Sequence, residues 1–149
     1  MARSIPIPVT GRSEAPSVLF VCAAGCDHPS LETIGRQAGW NFCHATDSAH
    51  VLRTWNRMRP AVVVCSSDQP GLDWRGLWRE LREQPNPPAF ILCSRLADER
   101  LWMEALNLGV CDVVRLPFDP AELLRSLSLA RLASTIGAPD AQRQAHARA

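Results

Sequence analysis

Between Pro60 and Trp74 the chain reads PAVVVCSSDQPGLDW, and this stretch limits the possible folds more than any other. Ala61-Val62-Val63-Val64 is an unbroken apolar run, too short for a helix and rich in β-branched residues. Such a run is a strand buried on both faces. The polar loop Ser66-Ser67-Asp68-Gln69 follows at once, Pro70-Gly71 makes a turn, and Leu72-Asp73 leads into a helix. In open α/β sheets functional groups collect at the carboxyl ends of the strands, and Ser66 stands at such an end.

The rest of the chain repeats the unit. Ser17–Ala23 reads as a first buried strand, followed by the loop Ala24-Gly25-Cys26-Asp27. His28-Pro29-Ser30 opens a helix with Leu31, Ile34 and Ala38 on one face, ended by Gly39. Trp40–Ala45 is a second strand. Asp47 or Ser48 caps the next helix, which carries Val51, Leu52, Trp55 and Met58. After the third strand, Leu77, Trp78 and Leu81 turn inward and Arg75, Arg79 and Arg82 outward. A proline-rich connector, Gln84 to Pro88, leads to Ala89–Ser94, a fourth buried strand. Asp98–Leu108 is a helix stopped by Gly109, Asp112–Leu116 a short fifth strand, and Asp119-Pro120 starts a last helix to about Ala133. Five strand–helix units with continuous apolar strands predict an α/β, three-layer (βα)5 sandwich around a parallel five-stranded sheet, order 2-1-3-4-5.

The 149 residues carry a formal net charge of +1, so no large field points to nucleic acid or a membrane surface. The domain is expected over residues 17–133, between a disordered lead-in, 1–16, and a flexible tail, 134–149. No apolar run spans a bilayer, and the N-terminus has no apolar core of a secretory signal. A cytoplasmic location is the expectation, with the six cysteines reduced. The absence of lysine beside abundant Arg, Ala and Pro associates with high-GC bacterial genomes.

Five short motifs then occur in order: Gly39-Trp40, Arg59-Pro60 before the third strand, Pro70-Gly71-Leu72-Asp73, Ala105 to Val110, and Leu116-Pro117-Phe118-Asp119. Together they make Ser17 to Leu132 resemble the receiver domain of bacterial response regulators. The resemblance implies a flavodoxin-like fold and a place in two-component phosphorelay signalling. It also implies a reaction, phosphoryl transfer onto an aspartate, that needs Mg²⁺-binding acids, the aspartate, a lysine and a hydroxyl.

The positions that the resemblance assigns to these parts hold other residues. Cys22 and Ala23 stand for the metal-binding acids, Ser66 for the phosphoacceptor, and Leu116 for the lysine. Spacing back from Pro117 puts Ser94 at the hydroxyl that would tie the phosphoryl group to the fourth helix, while counting from Pro88 gives Cys93, and Val113 replaces an aromatic residue on the fifth strand. The reading is a degenerate pseudo-receiver: no enzyme, no catalytic residue, no cofactor, and the Mg²⁺ site lost. Asp68 and Asp27 lie on nearby loops and are read as solvated acids rather than a relocated site. Trp74, after the Pro-Gly turn, is expected to lid the vacant pocket.

The alternative is a cysteine-based redox, metal or small-ligand sensor. Cys22, Cys65 and Cys93 fall near the carboxyl ends of neighbouring strands, with Cys26 on the adjoining loop. The competing reading treats each free cysteine as a small buried hydrophobe.

Apolar residues beyond one core face suggest contact. On the last helix Leu123, Leu124 and Leu127 form one face, while Leu129, Leu132 and Ile136 fall opposite. Leu101, Trp102, Met103, Ala105, Leu106 and Leu108 wrap the fourth helix. We therefore expect a protein partner or homodimer through the fourth and fifth helices, with Leu101, Trp102, Leu129 and Leu132 as anchors. Neither membrane nor direct nucleic acid binding is expected.

Overall fold

The computed structural model of the chain describes residues 16–21 and 28–135. Its elements are β1 (Ser17–Val21), α1 (His28–Gln37), β2 (Asn41–Ala45), α2 (Ser48–Met58), β3 (Val62–Ser66), α3 (Trp74–Arg82), β4 (Ala89–Ser94), α4 (Glu99–Asn107), β5 (Asp112–Arg115) and α5 (Pro120–Thr135). All strands are parallel, in the order β2-β1-β3-β4-β5. This is the sheet that the sequence predicts. The expected lead-in and tail fall almost wholly outside the described residues, as does Ile136, while α5 runs to Thr135.

Each inner strand is buried on both faces because its side chains alternate between two cores. Leu19, Val21, Val63, Cys65, Phe90, Leu92 and Val113 meet α2, α3 and α4 through Val51, Trp55, Leu77, Trp78, Leu81 and Ala105. Val18, Phe20, Val62, Val64, Ile91, Cys93 and Val114 meet α5 through Leu123, Leu127 and Ala130. The stacking of Trp78 on Phe90, 5.0 Å between centroids, fixes α3 on β4, and the indole N–H donates to the Leu108 carbonyl at 2.7 Å.

Three expected faces need correction. Trp74 is no lid: it is 3% exposed and belongs to the core beside Leu77 and Trp78. In α1 Leu31 lies outside the described side chains, and among the described ones the buried position is Gly35, with Ile34 only half-buried and Ala38 exposed. A Cβ on Gly35 would stand 2.0 Å from the ring of Phe42, so glycine is what lets α1 approach β2. In α2 Val51, Thr54 and Trp55 are buried and Leu52 packs half-buried against the same core, as expected of all but Thr54, while Met58 is exposed.

Helix starts follow from short acids. The Asp47 carboxylate accepts from the His50 N–H at 2.8 Å, and Asp98 accepts from the Leu101 N–H at 2.9 Å. Asp119 accepts from the Ala121 N–H at 3.1 Å. Gly39 and Gly109, at φ 90° and 92°, close α1 and α4 in the conformation that L-residues avoid.

Candidate functional site

Parallel strands deliver their carboxyl ends to one edge of the sheet, and the loops there assemble the site. β3 ends on Ser66, which pairs in register with Cys93, and β4 ends on Ser94. Ser66 and Ser94 are both buried, at 7% and 1% exposure. The pairing of β3 with β4 is what brings residues 66–68 beside residues 94–96, far apart in sequence.

The loop after β3 is tied down on three sides. The Ser67 N–H donates to the Cys93 carbonyl at 2.9 Å, extending the strand pairing by one step. The Gln69 side-chain amide donates to the Thr46 carbonyl at 2.9 Å, on the loop after β2. Asp68 makes the third tie. Its Oδ1 accepts from Ser94 Oγ at 2.8 Å and its Oδ2 from the Arg95 N–H at 2.7 Å. Ser67 Oγ donates to Oδ1 at 3.3 Å, and the Asp68 N–H itself donates to Ser66 Oγ at 3.2 Å. A carboxylate held by a hydroxyl and a backbone N–H is a charge-assisted pair, about twice as strong as a neutral one.

Ser94 is a relay in this network. Its hydroxyl donates to Asp68 and accepts from the Leu96 N–H at 3.0 Å, while its carbonyl accepts from the Leu116 N–H at 2.9 Å. Leu116, at the position that the resemblance gives to a lysine, is packed against the α5-side core. Cys22 and Ala23 lie outside the described residues. The structure thus brings together Ser66, Ser94 and Leu116, and adds Arg95, which the sequence did not single out, and Asp68, which is exposed as expected of a solvated loop acid yet is bonded to Ser94 and Arg95. The missed signal was a short acid two residues beyond one strand end, facing a serine at the end of its neighbour.

The Mg²⁺ ion implied by the resemblance does not fit the described donors. Four of the described aspartates on these loops already serve other donors: Asp47, Asp98 and Asp119 cap helices, and Asp68 takes Ser94 and Arg95, while the Asp73 side chain makes no capping bond to α3. Among the described residues no group of three or more His, Cys, Asp or Glu side chains is placed to hold a metal.

Cys22 and Cys26 of the expected thiol cluster lie outside the described residues, and the two described members, Cys65 and Cys93, do not converge. Cys65 faces the α3 side and Cys93 the α5 side, because the two lie out of phase in the pairing of β3 with β4. Burial pushes the Cys65 thiol up to about 12, so at neutral pH it stays protonated and inert. Cys111 precedes β5, at the opposite edge of the sheet from the site.

Of the expected contact residues, Leu101 is half-buried against the core, while Trp102, Leu129 and Leu132 are exposed at 37%, 61% and 56%. Met103 and Leu106 on α4 are exposed as well, so that helix is not enclosed. Arg75 forms a bidentate pair with Glu104, joining α3 to α4 across the surface. No helix among the described residues is long and apolar enough to cross a membrane.

No family model matches the chain. In sequence it is similar to the probable transcriptional regulator ycf27 of Porphyridium aerugineum, 33% identical over 93 residues, 62% of this chain and 38% of that one. It is also similar to the aerobic respiration control protein ArcA of Escherichia coli, 27% identical over 132 residues, 88% of this chain and 55% of that one. The chain therefore spans roughly two-fifths to just over half the length of these relatives. In structure it matches a putative response regulator from Chloroflexus aurantiacus with a TM-score of 0.71 at 20% identity, over 80% of this chain and 99% of that one. The shared sheet order and the structural likeness show that the chain has the fold of this response-regulator structure.

Proposed function

We propose that this chain is a pseudo-receiver: a two-component-type module that transmits by protein contact and accepts no phosphoryl group. The observation that carries this reading is the occupied hydroxyl of Ser94. The group that the resemblance assigns to the phosphoryl oxygens is bonded to Asp68 instead. Ser66 supports it, since a buried serine hydroxyl accepting from the Asp68 N–H is no substitute for a carboxylate nucleophile. Leu116 supports it too, because an apolar side chain supplies no charge to a transferring phosphoryl group.

On this reading the protein is a non-catalytic, Mg²⁺-independent component of a bacterial cytoplasm. Its output is docking, to a second copy or to a protein partner, through the surface that carries Trp102, Leu129 and Leu132. The names of the relatives, a transcriptional regulator and a respiration control protein, support a regulatory setting.

The test is intact-mass measurement after incubation with acetyl phosphate and Mg²⁺, beside an active receiver as control. The expected result is an unmodified chain under conditions that modify the control. A phosphoryl adduct on this chain would overturn the reading.

A further inference from the structure

The ties around Asp68 do more than fill space. Both carboxylate oxygens are engaged, and beside the neighbouring Ser67 hydroxyl the donors are Ser94, at the end of β4, and Arg95, the first residue after it. From Asp68 the chain of bonds runs to Ser94 Oγ, and from Ser94 Oγ to the Leu96 N–H. The Leu96 carbonyl in turn accepts from the Asp98 N–H at 2.7 Å, and Asp98 caps α4. One short acid therefore sets the path of residues 94–98 and the entry of α4. Leu96 itself stands 76% exposed on this segment, the most exposed large apolar side chain among the described residues.

A segment shaped this way needs an anion. The Ser94 hydroxyl and the Arg95 N–H point to one place, and without a negative group there the two donors would face only the loop after β3. Where the donors are fed by an external anion, the path of the segment depends on that anion being bound. Here the anion is part of the chain, two residues beyond the end of β3, so its encounter with these donors is intramolecular.

We propose that Asp68 is a resident anion, a carboxylate latch that permanently holds the β4–α4 segment and the first turn of α4 in one arrangement. The proposal deepens the pseudo-receiver reading. It explains how a module that takes no phosphate still presents a defined α4 surface. Leu96 and the apolar residues of α4 are displayed without an input, and regulation falls to whatever binds them.

Amide hydrogen exchange by NMR tests the latch on the full chain. The Arg95 and Leu96 amides report it directly, since one bonds to Asp68 and the other to Ser94 Oγ. In Asp68→Ala both should exchange at least about tenfold faster than in the native chain, with amides of β1 and β3 unchanged. Asp68→Asn keeps the volume and one acceptor oxygen, so it should fall between the two. Ser94→Ala should quicken Leu96 and leave Arg95 less affected. Unchanged rates at Arg95 and Leu96, or a uniform acceleration across the sheet, would sink the proposal. The exchange ratio reads the latch whether or not the native chain takes up phosphate, so its failure is distinct from that of the proposed function.

Discussion

Cys65 shows how strongly position governs a reactive side chain. It stands next to Ser66 at the end of β3, yet its thiol lies in the core with Trp74 and Leu77. Up to about the ordinary value of 9.0, folded and unfolded chains both keep this proton, and Cys65 adds no pH dependence. Above that the unfolded chain releases it and the folded chain holds it to about 12, so stability falls as pH rises through this window. One proton gives a slope of about 1.4 kcal/mol per pH unit. Urea melts at about pH 8 and about pH 10 should show Cys65→Ala losing about 1 kcal/mol less than the native chain. Equal losses would mean that the thiol is not the group responsible. Ser66 and Ser94 were legible in the sequence because strand ends are. Asp68 was not, because its partners are 26 and 27 residues away and meet it only once β3 and β4 are paired.

At the scale of elements, the strands were read almost to the residue, and β4 matches at both ends. Continuous apolar runs bounded by Pro, Gly and Asp leave little freedom. Helix faces were harder. The α3 stripe of Trp74, Leu77, Trp78 and Leu81 has the spacing of a single buried face, but the place of Trp74 beside a turn suggested a lid. In α1 an apolar stripe was sought, and a glycine has no side chain to mark the face it buries. Gly35→Ala should therefore destabilise the protein by about 1–3 kcal/mol through overpacking against Phe42, offset in part by about 1 kcal/mol of helix propensity. The ring of Phe42 cannot retreat freely, since Phe20 lies 4.8 Å from it. A thermal melt unchanged or raised by the substitution would show that α1 shifts outward at no cost.

Among the described residues, two cores account for nearly every large apolar side chain on the strands, and the exposed ones are Trp102, Met103 and Leu106 on α4, Leu129 and Leu132 on α5, Leu96 before α4 and Met58 on α2. Covering a Leu side chain that is otherwise exposed contributes about 1.5–3 kcal/mol, enough for a few such residues to drive a weak association. Sizing chromatography over a concentration series should show a species larger than the monomer, or a complex with the partner. Leu129→Arg with Leu132→Arg should abolish it while moving stability by no more than about 0.5 kcal/mol per site. A monomer at every concentration, with no partner retained and Trp102→Ala without effect, would count against contact as the output. The parallel sheet has one more outcome, for the birth of the protein rather than its use. β1 lies between β2 and β3, so a nascent chain that has emerged only as far as Pro60 has one flank of β1 without a hydrogen-bonding neighbour. Until Val62–Ser66 emerges from the ribosome, that flank is a sticky edge, and slow translation just before it would favour aggregation over folding.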